Sequence, residues 1–159
     1  MFVAGVRAHY SASRLAARIM LTHKQGLIIN TTFYDRGKYF QPLSYFLAKN
    51  TINQMAYGMG LELREHNITA IALSPGWMRT EAVMAVIAPN GEPKPEEYAQ
   101  TESVEYIGRA VVALASDPHV INKSGQTWTV GHLAREYGFT DVDGRQIPPF
   151  RFQDELLMD

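Results

Sequence analysis

The chain reads as an α/β layer fold built on a parallel sheet of three strands with flanking helices. Two apolar segments, Leu27 to Thr32 (LIINTT) and Ile68 to Ser74 (ITAIALS), have the length and character of strands buried on both faces. Between them, Pro42 to about Glu65 carries helical periodicity long enough for a crossover. Strand, long helix and strand in that order make a βαβ unit, which implies parallel strands and a right-handed connection.

The elements follow in order. A first helix covers about Val3 to Thr22 and has two apolar stripes: Val6, Tyr10, Ala17 and Leu21 on one side, Ala8, Ala12, Leu15 and Ile19 on the other. Two stripes predict cover on two sides, by a sheet and by a partner. Gln25-Gly26 ends the connection to the first strand, and the polar loop Tyr34-Asp35-Arg36-Gly37-Lys38 follows that strand. Pro42 suits the first turn of the crossover helix, where its missing N–H costs nothing. That helix sets Ile52, Met55, Ala56, Met59 and Leu63 on one face. Pro75-Gly76 breaks the second strand, and residues Arg79 to Gln100 are mixed, with a loop rich in proline and glycine. Ser103 is the expected cap of a helix whose stripe is Val104, Ile107, Val111 and Leu114, ending at Asp117-Pro118. Gln126 to Val130 alternates like a third strand, a short helix covers Leu133 to Tyr137, and a tail with prolines closes the chain.

Composition narrows the function classes. At 159 residues, 46% hydrophobic and 19% charged, the chain is one ordinary globular domain. A net charge of −1 with scattered basic residues argues against a nucleic-acid face. The absence of cysteine excludes disulfides and thiolate metal sites. No stretch approaches the roughly 20 apolar residues of a membrane span, and no membrane partner is expected. A cytoplasmic location is expected. The acid-free start, with Arg7, Arg14, Arg18, Ser11 and Ser13, leaves a mitochondrial transit segment as the alternative.

The chemistry concentrates at Tyr45-Phe46-Leu47-Ala48-Lys49. A phenol and an ammonium at i and i+4 share one helix face. A nearby positive charge favours phenolate, so the spacing predicts a Tyr45 with a lowered pKa, able to give or take a proton at a carbonyl or alcohol oxygen. Taken alone, the pair also reads as ordinary surface residues. Its setting adds weight: Thr32 closes one buried strand 13 residues before Tyr45, and Pro75-Gly76 closes the next 30 residues after it. Ligands in open parallel sheets bind outside such carboxyl ends.

These features together resemble the short-chain dehydrogenase/reductase family: a hydroxyl at a strand end, Tyr-x-x-x-Lys, then Pro-Gly-x-x-x-Thr in PGWMRT, Pro75 to Thr80. The segments GLELREHNITAIALSPGWMRTE, ESVEYIGRAVVALASDP and LAREYGFTDVDGRQ are similar to one subgroup of that family, over about Gly5 to Arg145. The resemblance implies the C-terminal portion of a Rossmann-type doubly wound sheet, with the N-terminal glycine-rich half absent, over a partial catalytic domain at 1–147 and a tail at 148–159. It implies an NAD(P)-dependent oxidoreductase that interconverts a carbonyl and an alcohol. Tyr45 is then the general acid/base. Lys49 lowers its pKa and bonds the nicotinamide ribose. Thr32 replaces the usual serine on the substrate oxygen. Pro75, Gly76, Met78 and Thr80 line the nicotinamide and phosphate side of NAD or NADP, with Tyr45 and Lys49 also touching the coenzyme.

The match departs in two places. Gly5, 27 residues before Thr32, stands where the family usually carries an asparagine of a proton relay. No glycine-rich turn follows a strand, so the sheet's first strand is expected to present an apolar edge, and the chain to be poorly soluble or to need a partner. Gly58 and Gly60 lie inside a helix and are expected to serve close helix–helix approach. The partners implied are a small carbonyl or alcohol substrate and a second copy of the chain, through the helices 3–22 and 42–65. A non-catalytic oligomerisation or regulatory module, or one half of a split reductase, is the alternative. The five histidines show no metal-ligand spacing, and no metal is expected. Trp77, Met78 and Met84 suit an apolar pocket or plain packing. Asp141 and Asp143 in FTDVDG read as a turn rather than a calcium loop.

Overall fold

A computed structural model of the chain describes residues 1–34 and 36–151. Asp35 of the expected polar loop and residues 152–159 of the expected tail lie outside the described residues. The chain divides into two compact units: Met1–Ser74 with Ala115–Trp128, and Pro75–Leu114 with Thr129–Arg151.

The first unit opens with a π-helical turn, Phe2–Arg7, that runs straight into α1 (Ala8–His23). Lys24 ends it in the left-handed region, φ 50°. Strand β1 (Gly26–Thr31) follows, then α2 (Leu43–Glu62), a 3-10 turn at Arg64–His66, and β2 (Ile68–Ser74), every residue of which is buried. β1 and β2 pair in parallel from Gly26↔Ile68 to Thr31↔Leu73, so the βαβ unit is present as expected. Later in the chain, β5 (Thr127–Thr129) lies on the other side of β2 and completes the order β1-β2-β5. β1 is therefore an outer strand of this sheet among the described residues.

Packing explains the choice of faces. Ala17 of α1 meets Ile28, Ile68 and Ala70, with Met20, Met59 and Leu63 closing the cluster. Ser13 is buried too, because it pairs with the Asn30 amide of β1 at 3.1 Å. The rest of α1 is open: Tyr10, Leu15 and Ile19 are more than half exposed. On α2, Ala48, Ile52, Asn53, Ala56 and Gly60 are buried. Among the described residues, Gly60 meets the backbone of a loop rather than a second helix. A Cβ there would fall 2.3 Å from the Gly125 Cα, so its hydrogen allows α2 to touch the backbone just before β5. Gly58 has open space around it.

The second unit holds elements the sequence left undivided. Between Pro75 and Glu102 lie β3 (Trp77–Met78), α3 (Glu81–Ile87), α4 (Pro95–Ala99) and β4 (Thr101–Glu102). β3 and β4 pair in parallel, Trp77↔Thr101 and Met78↔Glu102. Most of α5 (Val104–Ser116) and all of α6 (Val130–Tyr137) follow. The expected stripe of α5 holds at Leu114, which is buried, and is corrected elsewhere: Tyr106 and Ala110 are buried with it, Ile107 is half-buried, and Val104 and Val111 are exposed. Both stripes have helical period. The Tyr106 stripe wins because its ring meets Phe139 edge-on at 5.4 Å and its hydroxyl reaches the Ile147 carbonyl. Among the described residues no helix is long and apolar enough to cross a membrane.

Candidate active site

The site residues of the first unit gather where β1 ends and α2 begins. Pro42 caps α2, and its carbonyl receives the Tyr45 N–H at 2.9 Å. One turn on, the Lys49 ammonium stands over the Tyr45 ring, 5.5 Å from its centroid. The ring itself is held by Phe40, edge-on at 5.7 Å, and by Phe33 at 6.2 Å; Phe33 and Phe40 also touch each other at 5.4 Å. Sequence reading missed this aromatic box, although Phe33 directly follows Thr32 and would have signalled it.

The expected lowering of the Tyr45 phenol is not met. Burial raises it above the ordinary tyrosine value, and burial lowers the Lys49 ammonium. The physical reason is that both charged forms lose water, and the ammonium faces the ring of Tyr45.

Thr32 is 3% exposed and sits just past β1, its N–H bonded to Leu73 of β2 at 2.9 Å. Its hydroxyl donates to the main-chain carbonyl of Lys49 at 3.0 Å. The hydrogen expected to serve a substrate oxygen is thus used inside the chain, and the lone pairs of Oγ1 are what it retains for a ligand. Gly5 lies against α2: a Cβ placed there would stand 4.0 Å from the Ala48 Cβ, in ordinary contact. The position has room for a Cβ.

Pro75, Gly76, Met78 and Thr80 belong to the second unit. Thr80 caps α3, its hydroxyl accepting the Val83 N–H. Met78 is half-buried on β3. Gly76 is crowded: an added Cβ would meet Glu102 Oε2 at 2.9 Å and the Phe150 Cβ at 3.5 Å. Trp77 stacks on Phe150 with 5.7 Å between centroids. Glu102, a fully buried carboxyl pushed up to about 7 chiefly by burial, was not foreseen. Asp141 and Asp143 form a turn, as expected. Asp141 accepts from the Ser103 N–H at 2.8 Å, from the Ser103 hydroxyl and from the Val142 N–H at 2.7 Å.

Within the first unit, Tyr45 and Lys49 offer a phenol and an ammonium one turn apart, groups whose chemistry suits the ribose at the nicotinamide end of a dinucleotide. For the phosphates, no strand among the described residues is followed by a glycine-rich turn into a helix.

A family model described as enoyl-(acyl carrier protein) reductase matches residues 3–130. Mouse dehydrogenase/reductase SDR family member 1 is 33% identical over 154 residues, covering 92% of this chain and 49% of that protein. The chain therefore spans about half the length of the curated relatives it matches. Acetoin dehydrogenase from Salmonella typhimurium is a structural neighbour with a TM-score of 0.60 and 27% identity, over 80% of this chain and 51% of that one. Gluconate 5-dehydrogenase from Burkholderia cenocepacia, solved with NADP and tartrate, shares the fold with a TM-score of 0.62 at 18% identity, over 81% of this chain and 52% of that one. With its parallel βαβ core, its Tyr45–Lys49 pair and these relatives, the chain belongs to the short-chain dehydrogenase/reductase family.

Proposed function

We propose that the chain is the catalytic portion of an NAD(P)-dependent oxidoreductase that interconverts a carbonyl and an alcohol. The observation that carries this reading is the Tyr45–Lys49 pair, one turn apart on α2, with the ammonium 5.5 Å from the ring centroid. When bound, the coenzyme supplies or receives the hydride. The chain's residues supply placement and proton traffic. Tyr45, whose phenol is raised by burial, stays protonated at neutral pH and is poised to donate to a carbonyl oxygen. In the reverse direction it takes the alcohol proton, and the Lys49 charge stabilises the phenolate that does so. Thr32, with its own hydrogen on the Lys49 carbonyl, accepts from a substrate hydroxyl more readily than it donates. Pro75, Gly76, Met78 and Thr80 are assigned by the family's motif to the nicotinamide and phosphate side.

NADH and NADPH fluorescence titrations, followed by turnover of a small ketone, test the reading. Binding with turnover that Tyr45→Phe abolishes supports it. Binding that leaves every ketone untouched, with Tyr45→Phe indistinguishable, favours a non-catalytic role. The exposed apolar residues of α1 and α2 (Tyr10, Leu15, Ile19, Leu47 and Leu61) support a second copy of the chain as partner.

A further inference from the structure

Glu102 is a buried carboxyl that the proton chemistry above does not use. It is 1% exposed and ends β4, opposite Met78 of β3. Its carbonyl takes the Arg79 N–H at 2.8 Å, which joins it to the chain just beyond β3. Its side chain reaches back to the turn before β3: the Gly76 N–H donates to the carboxylate, and an added Cβ on Gly76 would lie 2.9 Å from Oε2. The other oxygen, Oε1, is buried without a hydrogen-bond partner.

Among the described residues, the groups that act on this carboxyl are Asp141, which repels its charge; Arg79, which attracts it; and Tyr106 of α5. Arg79 does not neutralise it, because Nη2 lies 3.4 Å from Asp141 and 3.8 Å from Asp143, and Nη1 is on the Thr101 carbonyl. Burial outweighs these neighbours, and the carboxyl titrates at about 7.

We propose that Glu102 is the positioning residue of the Pro75–Gly76 turn, its carboxylate holding the Gly76 N–H so that the charge of this one buried acid decides how firmly the turn is held. The consequence rests on the functional reading above, which assigns Gly76 and Met78 to the nicotinamide: coenzyme affinity follows the charge of Glu102. A hydrogen bond to a charged acceptor is roughly twice as strong as one to a neutral acceptor. The turn is therefore held in the ionised state and loosened when a proton is taken up, and affinity falls as pH drops through about 7.

Amide NMR on the full chain tests the positioning role directly. The Gly76 amide proton should titrate with a midpoint of about 7 and stay flat in Glu102→Gln, which keeps shape and an acceptor oxygen but cannot ionise. NADH or NADPH dissociation constants at acid and alkaline pH should then differ by about tenfold in the native chain, and not in the variant. A Gly76 amide that ignores pH, or that titrates equally in Glu102→Gln, overturns the proposal whatever the coenzyme does. Coenzyme binding without a pH step beside a titrating Gly76 overturns the coupling. Failure of both coenzymes at every pH counts against the oxidoreductase reading, while a Gly76 step that depends on Glu102 still upholds the positioning role.

Discussion

The Thr32 hydroxyl donates to the main-chain carbonyl of Lys49 at 3.0 Å, tying the residue after β1 to the turn of α2 that carries Tyr45 and Lys49. Removing that bond by Thr32→Val should cost about 1 kcal/mol and lower turnover further, because the pair loses its tie to the sheet. Thr32→Ser should keep both. Urea melts beside steady-state rates check this; equal stability of all three chains would refute it.

Tyr45→Phe keeps the ring that Phe33 and Phe40 hold and removes only the phenol oxygen. Its melt should match the native chain, while turnover falls by about 10²–10⁴. Burial raises the Tyr45 phenol, so carbonyl reduction should persist through neutral pH and alcohol oxidation should improve as pH rises. Rates in both directions across pH check the sign.

Gly58 and Gly60 should part company on substitution by alanine. Gly58 has open space around it, so Gly58→Ala should stabilise α2 by about 1 kcal/mol. Gly60→Ala drives a methyl into the Gly125 backbone and should cost about 1–3 kcal/mol. Thermal melts that shift in the same direction would contradict the assigned contact.

Glu102 should make the fold less stable as pH rises. Its folded pKa of about 7 lies above the ordinary 4.5, so between those values the native state binds more protons than the unfolded one. The stability lost over that window is about 3 kcal/mol at most, and it stays lost above it. The charge strengthens one local bond to Gly76 while costing the fold as a whole its burial. Glu102→Gln should flatten this slope and melt higher than the native chain in alkaline buffer.

Leu15 and Ile19 of α1 are 60% and 66% exposed, and Leu61 of α2 is 61% exposed. Sedimentation should show concentration-dependent self-association. Leu15→Glu with Ile19→Glu should shift it toward monomer with little loss of stability, since neither side chain belongs to the core. A monomeric native chain at all concentrations would rule the second copy out.

What the sequence determined by itself is what lies within a few residues along the chain. The apolar runs of β1 and β2, the crossover helix between them and the Tyr45–Lys49 spacing are all local patterns, and each follows from helical or strand period. The tertiary structure decided the rest. Periodicity admits either stripe of α5, and only the Tyr106 contacts with Phe139 and Ile147 select one. Gly60 meets Gly125, and Gly76 meets Glu102, across separations that no window along the chain spans. The direction of the Tyr45 pKa was misjudged for the same reason. Spacing puts an ammonium on the same face, but the cost of removing water from both groups depends on Phe33, Phe40 and the rest of the packing around them.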